Sequence, residues 1–451
     1  MSVSEQRIDL LGTVEVLHEH LTEALCRGVW GRVRRGERER LLTLKVLVDF
    51  WTAVTLRAPP SLTHALAEAS GQASATPYPP IEASSQAFFQ RCEGLRPEFF
   101  EGLLAAFVAQ VQGQEPARFG RRLEAVAARF PRLCAVDGSS LDRVARRLKV
   151  LWTDRRVPIP GTVVAFFDLT RGTLAHLHYT RELQPQEGAC AREQLARLPT
   201  GALVVGDRLY GVPRFFEALR ERGQFGVVRC RRTIVFQAER RLSSRLEDGA
   251  RLEDWEGTLG SDQATPSQRV RRITWRKGRT RREVVTSVLE PERLSDAEAL
   301  SLYGERWGVE RLFFELKEVL NLHRFYAANT NAVAMQVYAA ALVHVALKTA
   351  QGRIAAAAGL EPEELSLQKL FPKVAAASSS LVIAEATFTE VKRINPGVRL
   401  RKPDWRKMPF ASARLEDVLV EHRGQGGRRQ RLKPDGRDLR RLPARPRWRG
   451  R

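Results

Sequence analysis

The sequence predicts a mixed α/β domain preceded by a block of helices, and three observations carry that expectation. From about residue 129 to 230 the chain reads as apolar strand, strand hairpin, short helix, buried strand, helix and strand. Two of the apolar runs, Leu133–Val136 and Ala202–Gly206, lead directly into an acid, Asp137 and Asp207. Before residue 120 the apolar residues recur at helical spacing instead.

In chain order, Val14, Leu17, Leu21 and Leu25 mark one amphipathic helix, and Leu41, Leu44, Val46, Leu47 and Phe50 mark a second. The basic stretch Gly31–Arg40 connects them. Gly71–Ser85, rich in Ala, Ser, Pro and Thr, reads as a loop, and helical patterns resume over Gln86–Gln112. Residues 1–125 thus form a helical unit, basic in places, that suits DNA binding or a plain packing layer.

Residues 126–350 form the expected α/β domain. Thr162–Leu169 and Leu174–Tyr179 are β-rich runs joined by Thr170–Thr173, a hairpin. Glu193–Leu198 and Val212–Arg222 read as helices and Phe225–Cys230 as a strand. Residues 232–290 are basic and turn-rich, with strand-like pieces at Thr233–Gln237, Val270–Trp275 and Glu283–Leu289, and read as a β-rich insertion. Ser295-Asp-Ala-Glu298 is a capping box that opens a helix. Helices follow at Asn331–Gln351 and Glu361–Lys369; residues 351–422 form a C-terminal helical region. Ala332–Leu347 is apolar but interrupted by Gln336 and His344, which favours a buried helix over a membrane span. Residues 423–451, rich in Arg, Gly and Pro, read as a disordered basic tail that can clamp phosphates.

Composition narrows the partners. The 74 Lys and Arg against 52 Asp and Glu give +22 over 451 residues, a surplus that favours a polyanion. A GC-rich genome also enriches arginine, so charge alone does not decide. Cys26, Cys92, Cys134, Cys190 and Cys230 are scattered and odd in number, which argues for reduced thiols and against a disulfide framework or zinc site. His18 and His20, and His176 and His178, lack the spacing or third partner of a metal site. Glu5 and Asp9 stand where a signal peptide needs positive and apolar residues, so a cytoplasmic, nucleoid-associated location is expected.

The most informative segment is Tyr303-Gly-Glu-Arg306-Trp307-Gly-Val-Glu310-Arg-Leu-Phe-Phe-Glu-Leu-Lys317. On one helix Tyr303, Arg306, Glu310 and Lys317 would fall at about 0°, 300°, 340° and 320°, a single polar stripe. A solvated face laced with ion pairs is the simplest account of it. The alternative is an acid that binds metal, flanked by cations that hold a phosphate. Two Asp from neighbouring strand ends and a Glu from a helix across them would supply the hard oxygen ligands of a two-metal phosphoryl-transfer site. Taken singly, Asp137 and Asp207 are also ordinary turn or cap acids, and Asp168 belongs to the hairpin tip. Gly304 and Gly308 weaken the helix by about 1 kcal/mol each and point to close backbone approach.

Asp137, Asp207 and Glu310, with Tyr303, Arg306 and Lys317, resemble the DDE transposases of bacterial insertion sequences, in particular the IS-four family with its Y-x2-R-x3-E-x6-K signature. The four signature positions match without a gap. The resemblance covers about Cys134–Lys348, is weak over residues 1–120 and is absent from the tail. It implies a ribonuclease-H-like catalytic core interrupted by a β-rich insertion; on the residue patterns above, that core is preceded by a helical N-terminal domain and followed by helices and the basic tail. It further implies that Asp137, Asp207 and Glu310 bind two Mg²⁺ or Mn²⁺ ions, and that Tyr303, Arg306 and Lys317 contact phosphates at the transposon end. Trp307, about 60° round the helix from Glu310, would stack on an unpaired base, the alternative being a core tryptophan. Trp255 and Trp275 are rival stackers. The family usually has Gly or Ala two positions after the second Asp; here Leu209 departs from that and Tyr210 keeps the aromatic that follows. The implied activity is cut-and-paste transposition: cleavage at terminal inverted repeats, then joining of the 3′-OH to target DNA by a homodimer or larger assembly, with no membrane partner. A nuclease without strand transfer, and a noncatalytic DNA-binding derivative, are the rivals.

Overall fold

The computed structural model describes residues 6–35, 43–71, 78–140, 162–180, 186–231, 233–260, 267–322, 324–326, 329–394 and 401–420. The connector Gly31–Arg40 and the loop Gly71–Ser85 lie partly outside these residues, and the tail 423–451 wholly so.

The described residues form eleven strands: β1 (Arg7–Asp9), β2 (Leu133–Ser140), β3 (Thr162–Asp168), β4 (Thr173–Thr180), β5 (Leu203–Gly206), β6 (Phe225–Val228), β7 (Phe236–Glu247), β8 (Ala250–Leu259), β9 (Gln268–Lys277), β10 (Thr280–Thr286) and β11 (Ser412–Arg414). Nine of them build one mixed sheet in the order β4-β3-β2-β5-β6-β10-β9-β8-β7. β2, β3 and β4 are antiparallel neighbours, while β2, β5 and β6 run parallel. Leu203, Val204 and Val205 are fully buried, as a central parallel strand covered on both faces requires. The β3–β4 turn is made by Asp168, whose Oδ1 accepts from the N–H groups of Thr170 and Arg171 at 3.0 and 3.1 Å, and by Gly172 at φ +61°. Asp168 is therefore a turn residue.

The basic segment 232–290 is not a separate layer. Val285 and Thr286 of β10 pair with Val228 and Val227 of β6, so β7–β10 lengthen the same sheet. The sequence does not mark β8, and the reason is electrostatic. Its inward face carries Leu252, Asp254 and Glu256, so the apolar alternation is broken. Asp254 pairs with Arg271, both buried, and Glu256 pairs with Arg240 at 2.5 Å and with Arg269. Arg271 also donates to the carbonyls of Val288 and Leu294 at 3.2 and 2.8 Å, tying the strands to the segment that follows.

Among the described residues seven α-helices, Gly12–His20, Glu23–Val33, Leu44–Arg57, Leu62–Ser70, Ser85–Gly94, Pro97–Gln114 and the short Glu124–Ala127, precede the sheet. Four of them, Gly12–His20, Leu44–Arg57, Ser85–Gly94 and Pro97–Gln114, pack against the helix Thr330–Ala358, which runs past the expected Asn331–Gln351. It is long and apolar enough to cross a membrane, yet 89% of its most apolar window is buried inside the protein. Its two polar interruptions face internal partners: Gln336 Oε1 accepts from the Tyr326 N–H at 3.1 Å, and His344 bonds Glu315 at 2.8 Å. Residues 361–369 are not one helix. A 3-10 turn at Pro362–Glu364 precedes the helix Leu367–Ile394, which buries Leu370, Phe371 and Val374 on one side. β1 pairs antiparallel with β11, and all five cysteines are free.

Candidate active site

The site grows from two neighbouring parallel strands. Val136 of β2 lies opposite Gly206 of β5, so Asp137 and Asp207, the next residue on each, extend side by side. Asp207 does leave its strand at the end, and its Oδ1 accepts the Leu209 N–H at 2.6 Å, which shapes the turn that follows. Asp137 does not terminate β2. The strand continues through Gly138 and Ser139 to Ser140, paired with Val164, Val163 and Thr162 of β3. Gly138 is thus a strand residue, not a turn residue, and a Cβ there would come within 2.2 Å of the Glu187 side chain.

Glu187 is the residue that sequence reasoning missed. It opens the helix Glu187–Gln194, and its Oε1 accepts from the Tyr210 hydroxyl at 2.7 Å. The surrounding Gln-Pro-Gln-Glu-Gly has no periodicity or motif to mark it. Tyr210 is buried and packs on Gly206, where a Cβ would lie 2.9 Å from its ring. Burial, followed by the charge of Glu187 and then of Asp207, pushes the Asp137 carboxyl up to about 7. Burial likewise raises the Glu187 carboxyl, against the hydrogen bond from Tyr210.

The signature segment does not form one straight helix. The capped helix Asp296–Gly304 stops, Glu305 and Arg306 turn, and a second helix runs Trp307–Phe314 before a π-helical turn at Glu315–Val319. The expected capping box is present, with Ser295 Oγ accepting from the Glu298 N–H at 3.3 Å and Glu298 Oε2 accepting from the Ser295 N–H at 2.9 Å. Gly308 gives the close approach expected of it, because a Cβ would meet the Phe167 ring at 2.7 Å; Gly304 has open space around it. This contact seats the acid-bearing helix on β3, and the π turn rotates Lys317 out of the simple stripe.

Even so, Lys317 reaches β2 and Arg306 acts on its acid. Lys317 Nζ donates to Ser139 Oγ at 2.5 Å, two residues beyond Asp137. Arg306, whose side chain is 12% exposed, donates to Glu310 Oε1 at 2.6 Å and lies within the electrostatic reach of Asp137. Its guanidinium stands 5.9 Å from the Tyr303 ring and 5.7 Å from that of Trp307. Trp307 is 49% exposed, so it is not a core tryptophan. Trp255 and Trp275 are half-buried beneath Arg241 and Arg282. His176 and His178 have partners of their own. Burial lowers His176 to about 4 and it bonds Gln194 at 3.0 Å, while His178 bonds Glu101 at 3.1 Å.

The donor chemistry fits a hard divalent cation: Asp137 within β2, Asp207 at the end of β5 and Glu187 at a helix start supply carboxylate oxygens, and a cation would offset the burial and the neighbouring charges that raise Asp137. Among the described residues no three such side chains stand close enough to enclose an ion as placed, and Glu310 is engaged by Arg306.

Comparison with known proteins bears on the same span. Residues 131–346 match the family described as the transposase DDE domain. That span holds the strands, both Asp residues and the signature segment. The chain is also 27% identical over 149 residues to a probable transposase for insertion sequence element IS5377 from Geobacillus stearothermophilus. That match covers 32% of this chain and 38% of the relative. Among solved structures, piggyBac transposase in a synaptic complex with hairpin DNA is similar at a TM-score of 0.35 and 8% identity, over 94% of this chain and 90% of that one.

Proposed function

We propose that the protein is a metal-dependent DNA transposase that cleaves the ends of its own insertion sequence and joins the freed 3′-OH to target DNA, with Asp137, Asp207 and Glu310 as its acids. The observation that carries this reading is the side-by-side placing of Asp137 and Asp207 beneath a helix bearing Glu310, inside the span matched by the transposase DDE domain. A ribonuclease-H-like core is supported by the first five strands of the sheet, three antiparallel and then two parallel. The four-position signature supports assignment to the IS-four group.

Asp137, Asp207 and Glu310 would hold two Mg²⁺ or Mn²⁺ ions. When bound, such ions activate water or a 3′-OH as nucleophile and stabilise the leaving oxygen of a phosphodiester. The chain's own groups do the rest. Arg306 and Lys317 offset charge on the phosphate, and Lys317 is held beside the acids by Ser139. Arg306 pairs with Glu310; transferring its guanidinium to a phosphate would release that carboxylate toward the two Asp. Tyr303 orients the guanidinium from below, and exposed Trp307 offers a face to an unpaired base. The partners on this reading are double-stranded terminal repeats and target DNA, engaged by a homodimer in the cytoplasm.

The test uses the DNA that flanks the reading frame. Purified protein, that DNA, a target plasmid and Mg²⁺ should give joined products that chelation abolishes. Cleaved ends without joining would favour a nuclease, and binding alone a noncatalytic derivative.

A further inference from the structure

Glu315 opens the π-helical turn Glu315–Val319 that follows the helix bearing Glu310, and Lys317 lies within that turn. The Leu320 N–H closes its wider winding by donating to the Glu315 carbonyl at 2.9 Å. The Glu315 side chain is buried and reaches the core helix Thr330–Ala358: Oε2 lies 2.8 Å from His344 Nε2, while Oε1 accepts from Arg311 Nε at 3.0 Å. Burial pushes the Glu315 carboxyl up, but the charge of Lys348 and then the His344 hydrogen bond outweigh it and hold it at about 2. An ionised carboxylate only accepts, so His344 Nε2 carries the hydrogen and donates. His344 Nδ1 is buried without a hydrogen-bond partner among the described residues. His344 and Lys348, one turn apart, are themselves buried. Such a group is costly to desolvate, and apolar side chains would fill the same space at lower cost. Apolar packing lacks direction, however, whereas a hydrogen bond between a turn and a core helix is satisfied over a narrow range of rotation. A π turn swings the residues beyond it round the helix axis, so its rotation bears on whether Lys317 Nζ meets Ser139 Oγ, 2.5 Å away on β2.

We propose that Glu315 is a positioning residue of the site: the hydrogen bond from His344 locks the π turn to the core helix and so sets Glu310 and Lys317 against β2. The inference rests on the transposase reading above and concerns only how its groups are held. It adds no group that touches DNA.

Two substitutions at His344 test the bond and leave Glu315, Lys348 and Arg311 in place. In His344→Gln the amide nitrogen can stand where Nε2 does and still donates; His344→Met fills similar space and donates nothing. Full-length parent and variants are compared for melting temperature, for cleavage of saturating end DNA with Mg²⁺, and for the salt dependence of end binding. His344→Met, folded at the assay temperature, should cleave about a hundredfold more slowly, the loss that a small misplacement of reacting groups brings. Its binding slope should fall by about one unit, because Lys317 no longer meets its phosphate. His344→Gln should keep parental cleavage and slope. A bond that only stabilises the fold predicts that folded His344→Met cleaves at the parental rate, and that result would overturn the proposal. Loss of cleavage in His344→Gln alongside His344→Met would overturn it too, since the bond would then not be what matters. Should His344→Met not fold, Glu315→Met combined with Lys348→Met takes its place, because that double variant leaves neither buried charge unpaired, and the same outcomes decide. A parent that binds end DNA and cleaves none would defeat the transposase reading itself, and this inference with it.

Discussion

The carboxyl of Asp137 gives the sharpest handle on the site before any DNA is added. Its usual value of 3.8 is raised to about 7, with burial as the main cause and the charges of Glu187 and Asp207 adding to it. A carboxyl raised on folding favours the folded state fully below its unfolded value, and that advantage is lost as pH rises through the folded value. At about 1.4 kcal/mol for each pH unit, the rise from 3.8 to about 7 corresponds to about 4 kcal/mol in all. About 3 kcal/mol of this falls between pH 5 and pH 8, since part is already lost at pH 5. Solvent reaching the half-buried carboxyl makes these upper bounds. Asp137→Asn removes the titration without changing shape. Denaturant unfolding of metal-free protein should therefore show the parent losing up to about 3 kcal/mol relative to Asp137→Asn between pH 5 and pH 8. Saturating Mg²⁺ should restore most of the loss at pH 8, because it neutralises the same charges. Identical pH slopes for the two proteins would refute the clustering of Asp137 with other carboxylates.

Three further outcomes follow from the geometry. Arg306→Ala and Lys317→Ala should each lower the salt dependence of DNA-end binding by about one unit of slope, measured by titration at several ionic strengths; unchanged slopes would mean that neither meets a phosphate. Asp254→Ala leaves Arg271 buried without its partner and should cost about 3–5 kcal/mol in unfolding free energy, whereas a loss under 1 kcal/mol would contradict the buried pair. Gly308→Ala drives a methyl into Phe167 and should cost about 1–3 kcal/mol while reducing cleavage, and Gly304→Ala should do neither beyond a small gain in helix stability.

Much of the architecture was legible because the signals were local. The runs around Leu203–Val205 are apolar enough to demand burial on both faces, the hairpin at Asp168–Thr173 has turn chemistry, and Ser295 and Glu298 form the cap their spacing announces. β8 escaped because Asp254 and Glu256 point inward, where arginines from other strands neutralise them; no single strand reveals such pairing. The same holds in the candidate site. Asp137, Asp207 and the signature residues were visible from spacing, but the break at Glu305–Arg306 was not. Nor was the partner of Gly308, which is Phe167 on a strand about 140 positions earlier in the chain. Glu187 was invisible for the same reason: its meaning lies in Gly138 and Tyr210, which only the folded sheet brings to it.

The central claim is that Glu310 works in chemistry and not in binding, and Glu310→Gln tests it most directly. The amide retains an oxygen that can accept from Arg306, so the helix and its neighbours should be undisturbed. Parent and variant are compared in one gel assay on DNA carrying the terminal repeats, with Mg²⁺ present, reading bound, cleaved and joined DNA together. The account predicts parental binding by Glu310→Gln with no cleaved or joined product. Cleavage at the parental rate would contradict it.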